Sequence, residues 1–313
     1  MKVGIVGAGM SGLACAEGLA RSGHSVALMD KGRGPGGRMS VRRIATPQGE
    51  ASFDHGAQYF TLRDPGFRAR AEDWITKGHI APWPAAGADA YVGTPGMNAP
   101  VRQMAEGLSV QWGAKVTQLT RQGTGWLMHL ETGTTVEADA VVLALPAEQT
   151  AELTASIAPA MAARAQATQT QPCWTVMVAF AERLPSQLDC WRGNEGDPLG
   201  WVARNGSKPA RTGPEAWVLQ ASPAWSKQNL EAPQDEVIST LLDAFWERLG
   251  TAATPIAQSA HRWRYAKSGA EGSGTLWDPD LSLGLCGDWL IAPRVEAAWL
   301  SGTALAAQIT AKT

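Results

Sequence analysis

Residues 2–30 read KVGIVGAGMSGLACAEGLARSGHSVALMD: a strand, a glycine turn, a helix, a second strand and a terminal acid. Val3, Ile5 and Val6 form a short apolar run, the pattern of a central parallel strand buried on both faces. Gly7, Gly9 and Gly12 complete G-x-G-x-x-G. The first permits the tight turn, the second lets backbone approach a pyrophosphate, and the third lets the helix pack on the strand. Met10 and Ser11 then open a helix whose free N–H groups and positive dipole end face that pyrophosphate. Leu13, Ala16, Leu19 and Ala20 recur at helical spacing, and Gly23 is placed to end the helix. Asp30 stands at the tip of the next strand, 18 residues after Gly12, where a carboxylate accepts hydrogen bonds from both ribose hydroxyls. The order predicts a βαβ dinucleotide-binding unit. A 2′-phosphate on that ribose would repel Asp30, so FAD or NAD fits better than NADP.

Directly beyond the acid, Lys31 starts KGRGPGGRMS, which sets Gly34, Gly36 and Gly37 before Arg38 and Met39. Flexible backbone can come close to a diphosphate there, and a guanidinium can grip it with paired hydrogen bonds. Taken alone, the same stretch also reads as a glycine-rich loop with a solvated arginine.

Further along, residues 81–100 are rich in Ala, Gly and Pro and read as a long crossing loop, followed by a helix at 101–107. WGAKVTQLT and GWLMHLE read as strands, with TGTT as the hairpin turn after the second. Val141 to Leu145 form another buried strand closed by Pro146, and residues 147–166 are alanine-rich and helical. WTVMVAF, GWVARN, AWVLQAS and AHRWRYA make the region beyond 170 strand-rich. An amphipathic helix from Asp235 to Leu249, capped by Asp235 and ended by Gly250, interrupts it. LSLGLCGD then gives a strand and VEAAWLSGTALAAQI a closing helix. GAEGSG near 270 follows no apolar run, so a second dinucleotide unit is not expected.

The formal net charge of −2 leaves no electrostatic footprint for nucleic acid. No apolar run reaches the roughly 18 residues that span a bilayer. A strand starting at the second residue leaves no room for a signal peptide, so a cytoplasmic location is expected. Cys15, Cys173, Cys190 and Cys286 form no close pair in sequence, which excludes a local dithiol motif and a zinc site; buried free thiols are expected. The histidines show no metal-ligand spacing, and no metal is expected. The 14 tryptophans are chiefly core, with a few available to line an aromatic pocket.

The motifs GAGMSGL, DKGRGPGGRMS, FDHGAQYFTLRDP, PGMNAPVRQMA, ADAVVLALP, HRWRYA and CGDW with RVEAAWLSG run end to end. In them the chain resembles the flavin amine oxidase superfamily, and within it the bacterial members of the renalase family. The resemblance implies an α/β plus α+β fold of the amine oxidase or p-hydroxybenzoate hydroxylase-like kind. Residues 1–80, 100–155 and 280–313 would form a Rossmann-type FAD-binding domain, and 81–99 with 156–279 a mainly β-sheet substrate domain. It implies non-covalent FAD, with Asp30 on the adenosine ribose and Arg38 on the pyrophosphate. Gly56, Ala57, Gln58 and Tyr59 would run beside the isoalloxazine. Val116 would meet the adenine end, Pro146 would belong to the cofactor site, and Trp263 would lie against the ring. Gly287 and Asp288 would meet the pyrophosphate and ribityl chain. Glu296, Ala297 and Ala298 would bring the closing helix's N-terminus towards the flavin N1/O2 edge, where its dipole stabilises the charge of reduction, and Arg294 and Val295 would belong to the same cofactor site.

Amine oxidases of the superfamily carry a lysine near flavin N5 on the strand that WTVMVAF resembles; that place reads Ala181 or Glu182 here. An aromatic cage position before their closing helix reads Arg294, which suits an anionic substrate or else pairs with FAD phosphate or a nearby carboxylate. The renalase resemblance implies an oxidase of the 2- and 6-dihydro isomers of NAD(P)H. Hydride would pass to flavin N5, giving NAD(P)⁺, and O₂ would be reduced to H₂O₂. Such chemistry needs no Ser–His–Asp, Cys–His or paired-carboxylate set, and none is apparent. Gln58, Tyr59, Trp201, Asn205, Trp225, Tyr265 and Arg294 are the candidates for the substrate pocket. Oxidation of an amine or another small molecule, or flavin binding without turnover, are the alternative readings.

Overall fold

The computed structural model describes residues 1–194 and 196–311. Strand Lys2–Val6 is buried along almost its whole length and lies at the heart of a six-stranded sheet. Val3 pairs in parallel with Val26 on one side and with Ala140 on the other, so both faces must be covered. From edge to edge the sheet runs Leu276–Asp278, Leu283–Leu285, Ala140–Leu143, Lys2–Val6, Ser25–Asp30 and Val110–Trp112. Only the first pair in that order is antiparallel. Helix Met10–Arg21 covers one face together with the closing helix Val295–Thr310.

The second sheet is antiparallel, in the order Cys190–Arg192, Leu199–Arg204, Glu215–Ala221, Gln171–Phe180 and Ala257–Lys267. Helix Gln234–Leu249 lays Val237, Ile238, Leu241, Leu242 and Phe245 on it, the i, i+4 stripe of an amphipathic helix. Strands Thr135–Ala138, Gly125–Leu130 and Val116–Gln122 form a separate three-stranded layer, and Val41–Thr46 pairs with Gly49–Asp54 as a ribbon.

The structure corrects several local expectations. WGAKVTQLT is two strands, broken where Gly113 takes a φ of +70°. Trp112 therefore closes the parallel sheet while Val116 starts the smaller one. Residues 147–166 are two helices, Ala147–Thr154 and Pro159–Gln166, since proline opens a helix readily and breaks one from within. The 81–100 loop holds a short ribbon, Ile80–Pro82 with Tyr91–Gly93, and Trp83, Val92 and Met97 join the core beneath the parallel sheet. Asp235 lies inside the first turn of its helix, where it acts on the dipole; Pro233 occupies the cap position, and Gly250 ends the helix in the left-handed conformation. Among the described residues no helix is long and apolar enough to cross a membrane.

Candidate active site

A cavity of about 2220 Å³ runs from the end of strand Lys2–Val6, across the top of the parallel sheet, to the face of the second sheet. Pockets for small ligands are usually about 300–1,000 Å³, so this one has room for a dinucleotide and a further ring. At its nucleotide end, a Cβ on Gly12 would stand 1.9 Å from the Gly7 carbonyl oxygen, which is why strand and helix can touch there. A Cβ on Gly9 would meet nothing within 4 Å and would project into a cavity that Gly9 borders. That open cradle is what a backbone-held pyrophosphate requires.

Asp30 borders the cavity with its carboxylate tied to the backbone: Oδ2 accepts from Ala8 N–H at 2.7 Å and Oδ1 from Gly32 N–H at 2.6 Å. A carboxylate has about four acceptor positions, so two stay open for ribose hydroxyls. Arg38 donates through both terminal nitrogens to Asp288, at 2.9 and 2.6 Å, and Asp288 also accepts from Ser268 at 2.9 Å. Burial works against the Arg38 charge, but the Asp288 carboxylate outweighs it and raises the pKa. The sequence alone suggests an arginine free to grip a diphosphate; here it is one half of a paired fork, shared between segments far apart in the chain.

Lys31, Gly37, Met39, Val116, Pro146, Gly287, Val295, Glu296 and Ala298 also line the cavity, as do Gly7, Met10 and Ser11. Gly12 does not, because it serves helix packing. Ala297 does not either, being wholly buried. The carboxylate of Glu296 is buried at the start of the closing helix and accepts from the N–H groups of Arg63 and Asp64 at 2.6 and 2.7 Å. It fastens the 63–64 loop beside the helix end.

At the other end the strap His55–Tyr59 borders the cavity. Trp263 donates to the His55 carbonyl at 2.9 Å, and the ring centres of His55, His261 and Trp263 lie within 5.0 Å of one another, His261 edge-on to both others. Burial, then His261 and Arg42, push the His55 pKa down to about 4, and burial lowers His261 as well, so the cluster is neutral near pH 7. Tyr59 and Trp201 lie 5.6 Å apart, and Arg192 spans both, donating to the Tyr59 hydroxyl at 2.6 Å and lying 5.0 Å from the Trp201 ring. Tyr265 and Arg294 also line the cavity.

Three expected pocket residues act elsewhere. Asn205 is buried away from the cavity, accepting from Asp54 N–H at 3.2 Å and donating to the Ser52 carbonyl at 2.7 Å. Trp225 packs against the core of the second sheet. Gln58 borders the cavity, but its carboxamide turns inward to Asp54, Gly56 and Lys208. Ala181 and Glu182 are exposed at the outer end of their strand, so that alignment does not bring either to the cavity. Arg192 and the His55–His261 pair were not legible beforehand, since nothing local distinguishes them from surface or packing residues. Cys15 and Cys286 are brought together and fully buried, and their mutual hydrogen bond and burial raise the Cys15 pKa well above the ordinary value.

A family model described as flavin containing amine oxidoreductase matches residues 79–310, and one described as an NAD(P)-binding Rossmann-like domain matches residues 5–73. The chain belongs to the flavin-containing amine oxidoreductase family. FAD is the cofactor, and the glycine cradle, the half-open Asp30 carboxylate and the long cavity fit it. Within the family, the chain is similar to renalase of Mus musculus, 23% identical over 292 residues that cover 85% of each chain. A cofactor-site triple mutant of putrescine oxidase superposes with a TM-score of 0.72 at 15% identity, covering 100% of this chain and 99% of that one. Cyclohexylamine oxidase from Brevibacterium oxydans does so with 0.70 at 14%, with the same coverage. These two likenesses carry the fold. As a member of this family the chain is an FAD-dependent oxidoreductase.

Proposed function

We propose that this oxidoreductase returns the 2- and 6-dihydro isomers of NAD(P)H to NAD(P)⁺, with O₂ reduced to H₂O₂. The observation that carries the reading is a pair of arginines lining the cavity, neither of which hydrogen-bonds a carboxylate among the described residues. Among the described residues the Arg192 guanidinium meets Tyr59 and Trp201. Arg294 makes only a long ion pair, 3.8 Å to Glu296 Oε2, while Oε1 of that carboxylate accepts from two backbone N–H groups. Cations in that state suit a phosphate-bearing substrate and repel a protonated amine. Beside them, Tyr59 and Trp201 offer flat apolar faces for a dihydropyridine ring.

Bound FAD, held non-covalently, supplies the two-electron acceptor. The chain supplies orientation and charge. Because the product is an aromatic cation, no base has to remove a proton from carbon, which agrees with neutral histidines and no paired carboxylates at the ring end. The likeness to renalase supports the same reading. We also propose that the two sheets divide the labour, the parallel one holding the cofactor and the antiparallel one shaping the substrate pocket.

The test mixes the yellow protein anaerobically with aged NADH containing the dihydro isomers, with fresh β-NADH, and with a panel of amines. Rapid bleaching by the isomers alone is the expected result. Bleaching by an amine alone overturns the reading, and no bleaching by anything favours flavin binding without turnover.

A further inference from the structure

One buried polar cluster joins the end of strand Gly49–Asp54 to the second sheet and has no part in the reaction proposed above. Lys208 follows the 3₁₀ turn Asn205–Ser207, just after the strand that carries Trp201. Its side chain and that of Asp54 are fully buried, and that of Arg211 is nearly so. Lys208 Nζ donates to Asp54 Oδ2 at 3.1 Å and to Gln58 Oε1 at 3.1 Å, and lies 5.1 Å from the centre of the Trp83 ring. Arg211 donates to the same Asp54 oxygen at 2.6 Å, while Asp54 Oδ1 accepts from Met97 N–H at 2.9 Å. Gln58 Nε2 donates to the carbonyls of Asp54 and Gly56.

An ammonium taken fully out of water is costly, so each of its bonds needs a reason. Pairing Asp54 is not reason enough, because Arg211 already does so at shorter range. Beyond lying over the Trp83 ring, what Lys208 adds is the hydrogen bond to Gln58. Gln58 in turn holds the strap that borders the cavity, while Asp54, Lys208 and Arg211 lie outside the lining. We propose that Lys208 is a positioning residue for the cofactor: acting through Gln58, it fixes the strap Gly56–Tyr59 against the cavity and ties it to the sheet that carries Trp201. The proposal rests on FAD as the cofactor and is independent of which substrate is oxidised.

The test follows FAD release from purified holoenzyme by the rise of flavin fluorescence on dilution, with visible circular dichroism of the bound flavin and Tm measured alongside. Lys208→Met and Gln58→Leu should each weaken FAD binding by about tenfold, the equivalent of one lost charge-assisted hydrogen bond, and should change the visible dichroism. The double variant should be no weaker than the worse single one, because both cut the same link. Arg211→Met should lower Tm yet leave FAD affinity within about threefold, since it removes a partner of Asp54 and none of Gln58. Unchanged affinity in Lys208→Met overturns the proposal, as does an additive double variant or an equal loss of FAD in Arg211→Met. If Lys208→Met does not fold, Gln58→Leu decides alone, because it leaves the Asp54 ion pairs in place. Unchanged affinity and dichroism there also overturn it.

Discussion

The nucleotide end of the cavity is made mostly of backbone and the ring end mostly of side chains. Around Gly7–Gly12 the geometry depends on atoms that are absent, namely the Cβ groups that would block the helix from the strand or fill the cradle. Around Tyr59, Trp201 and Arg192 it depends on what large side chains from distant segments do to one another. Backbone packing has no rotamers with which to yield, whereas a wall of side chains can repack at modest cost. The nucleotide end should therefore be brittle and the ring end tunable.

Gly12→Ala tests that contrast most severely. Its new methyl would meet a backbone oxygen at 1.9 Å, so the protein should purify without yellow flavin absorbance, while Trp201→Phe should keep its FAD. A Gly12→Ala protein with normal flavin content would remove the basis of the comparison. Arg38→Met comes next, since it leaves the Asp288 carboxylate, whose side chain is 8% exposed, without its cation. Unfolding in urea should show a loss of about 3 kcal/mol. A loss below about 0.5 kcal/mol, the level of an ordinary surface change, would mean the pair is incidental.

His55 sharpens the comparison through pH. Its folded pKa of about 4 lies below the ordinary 6.5, so on acidification the unfolded chain takes up a proton before the folded one does. The stability this residue contributes is whole above pH 6.5 and is lost as pH falls from there towards 4, by up to about 3 kcal/mol. His55→Gln should flatten the fall in urea stability across that window; an unchanged slope would assign the acid sensitivity to other groups. Arg192→Met should have the smallest effect, raising KM for a phosphate-bearing dihydronicotinamide about tenfold with kcat nearly constant and stability unaffected. Equal losses in KM for substrates with and without phosphate would contradict an anion-binding role.

Much of this was legible in the chain, but unevenly. Strand Lys2–Val6, its glycine turn and Asp30 could be read because their constraints act within one βαβ unit, between residues close in sequence. The strands of the second sheet could be read from their apolar runs, though not their neighbours. Periodicity marks Trp225 and Trp201 alike as apolar; only packing sends the first to the core under helix Gln234–Leu249 and the second to the cavity. Asn205 is a pocket candidate by sequence, yet its amide stitches the Val41–Asp54 ribbon to the second sheet. Lys208 and Arg192 carry no local signal at all, since each acquires its role through a hydrogen-bond partner more than a hundred residues away.

The sequence by itself determined that the chain holds a dinucleotide at a strand–helix turn, because the spacing of three glycines and an acid is a local steric and electrostatic requirement. Only the tertiary structure decided which cations border the cavity and which are consumed in buried ion pairs such as Asp54 with Lys208 and Arg211. Whether a charge is free depends on the burial and reach of every group around it, and that neighbourhood exists only once the two sheets have closed over the cavity.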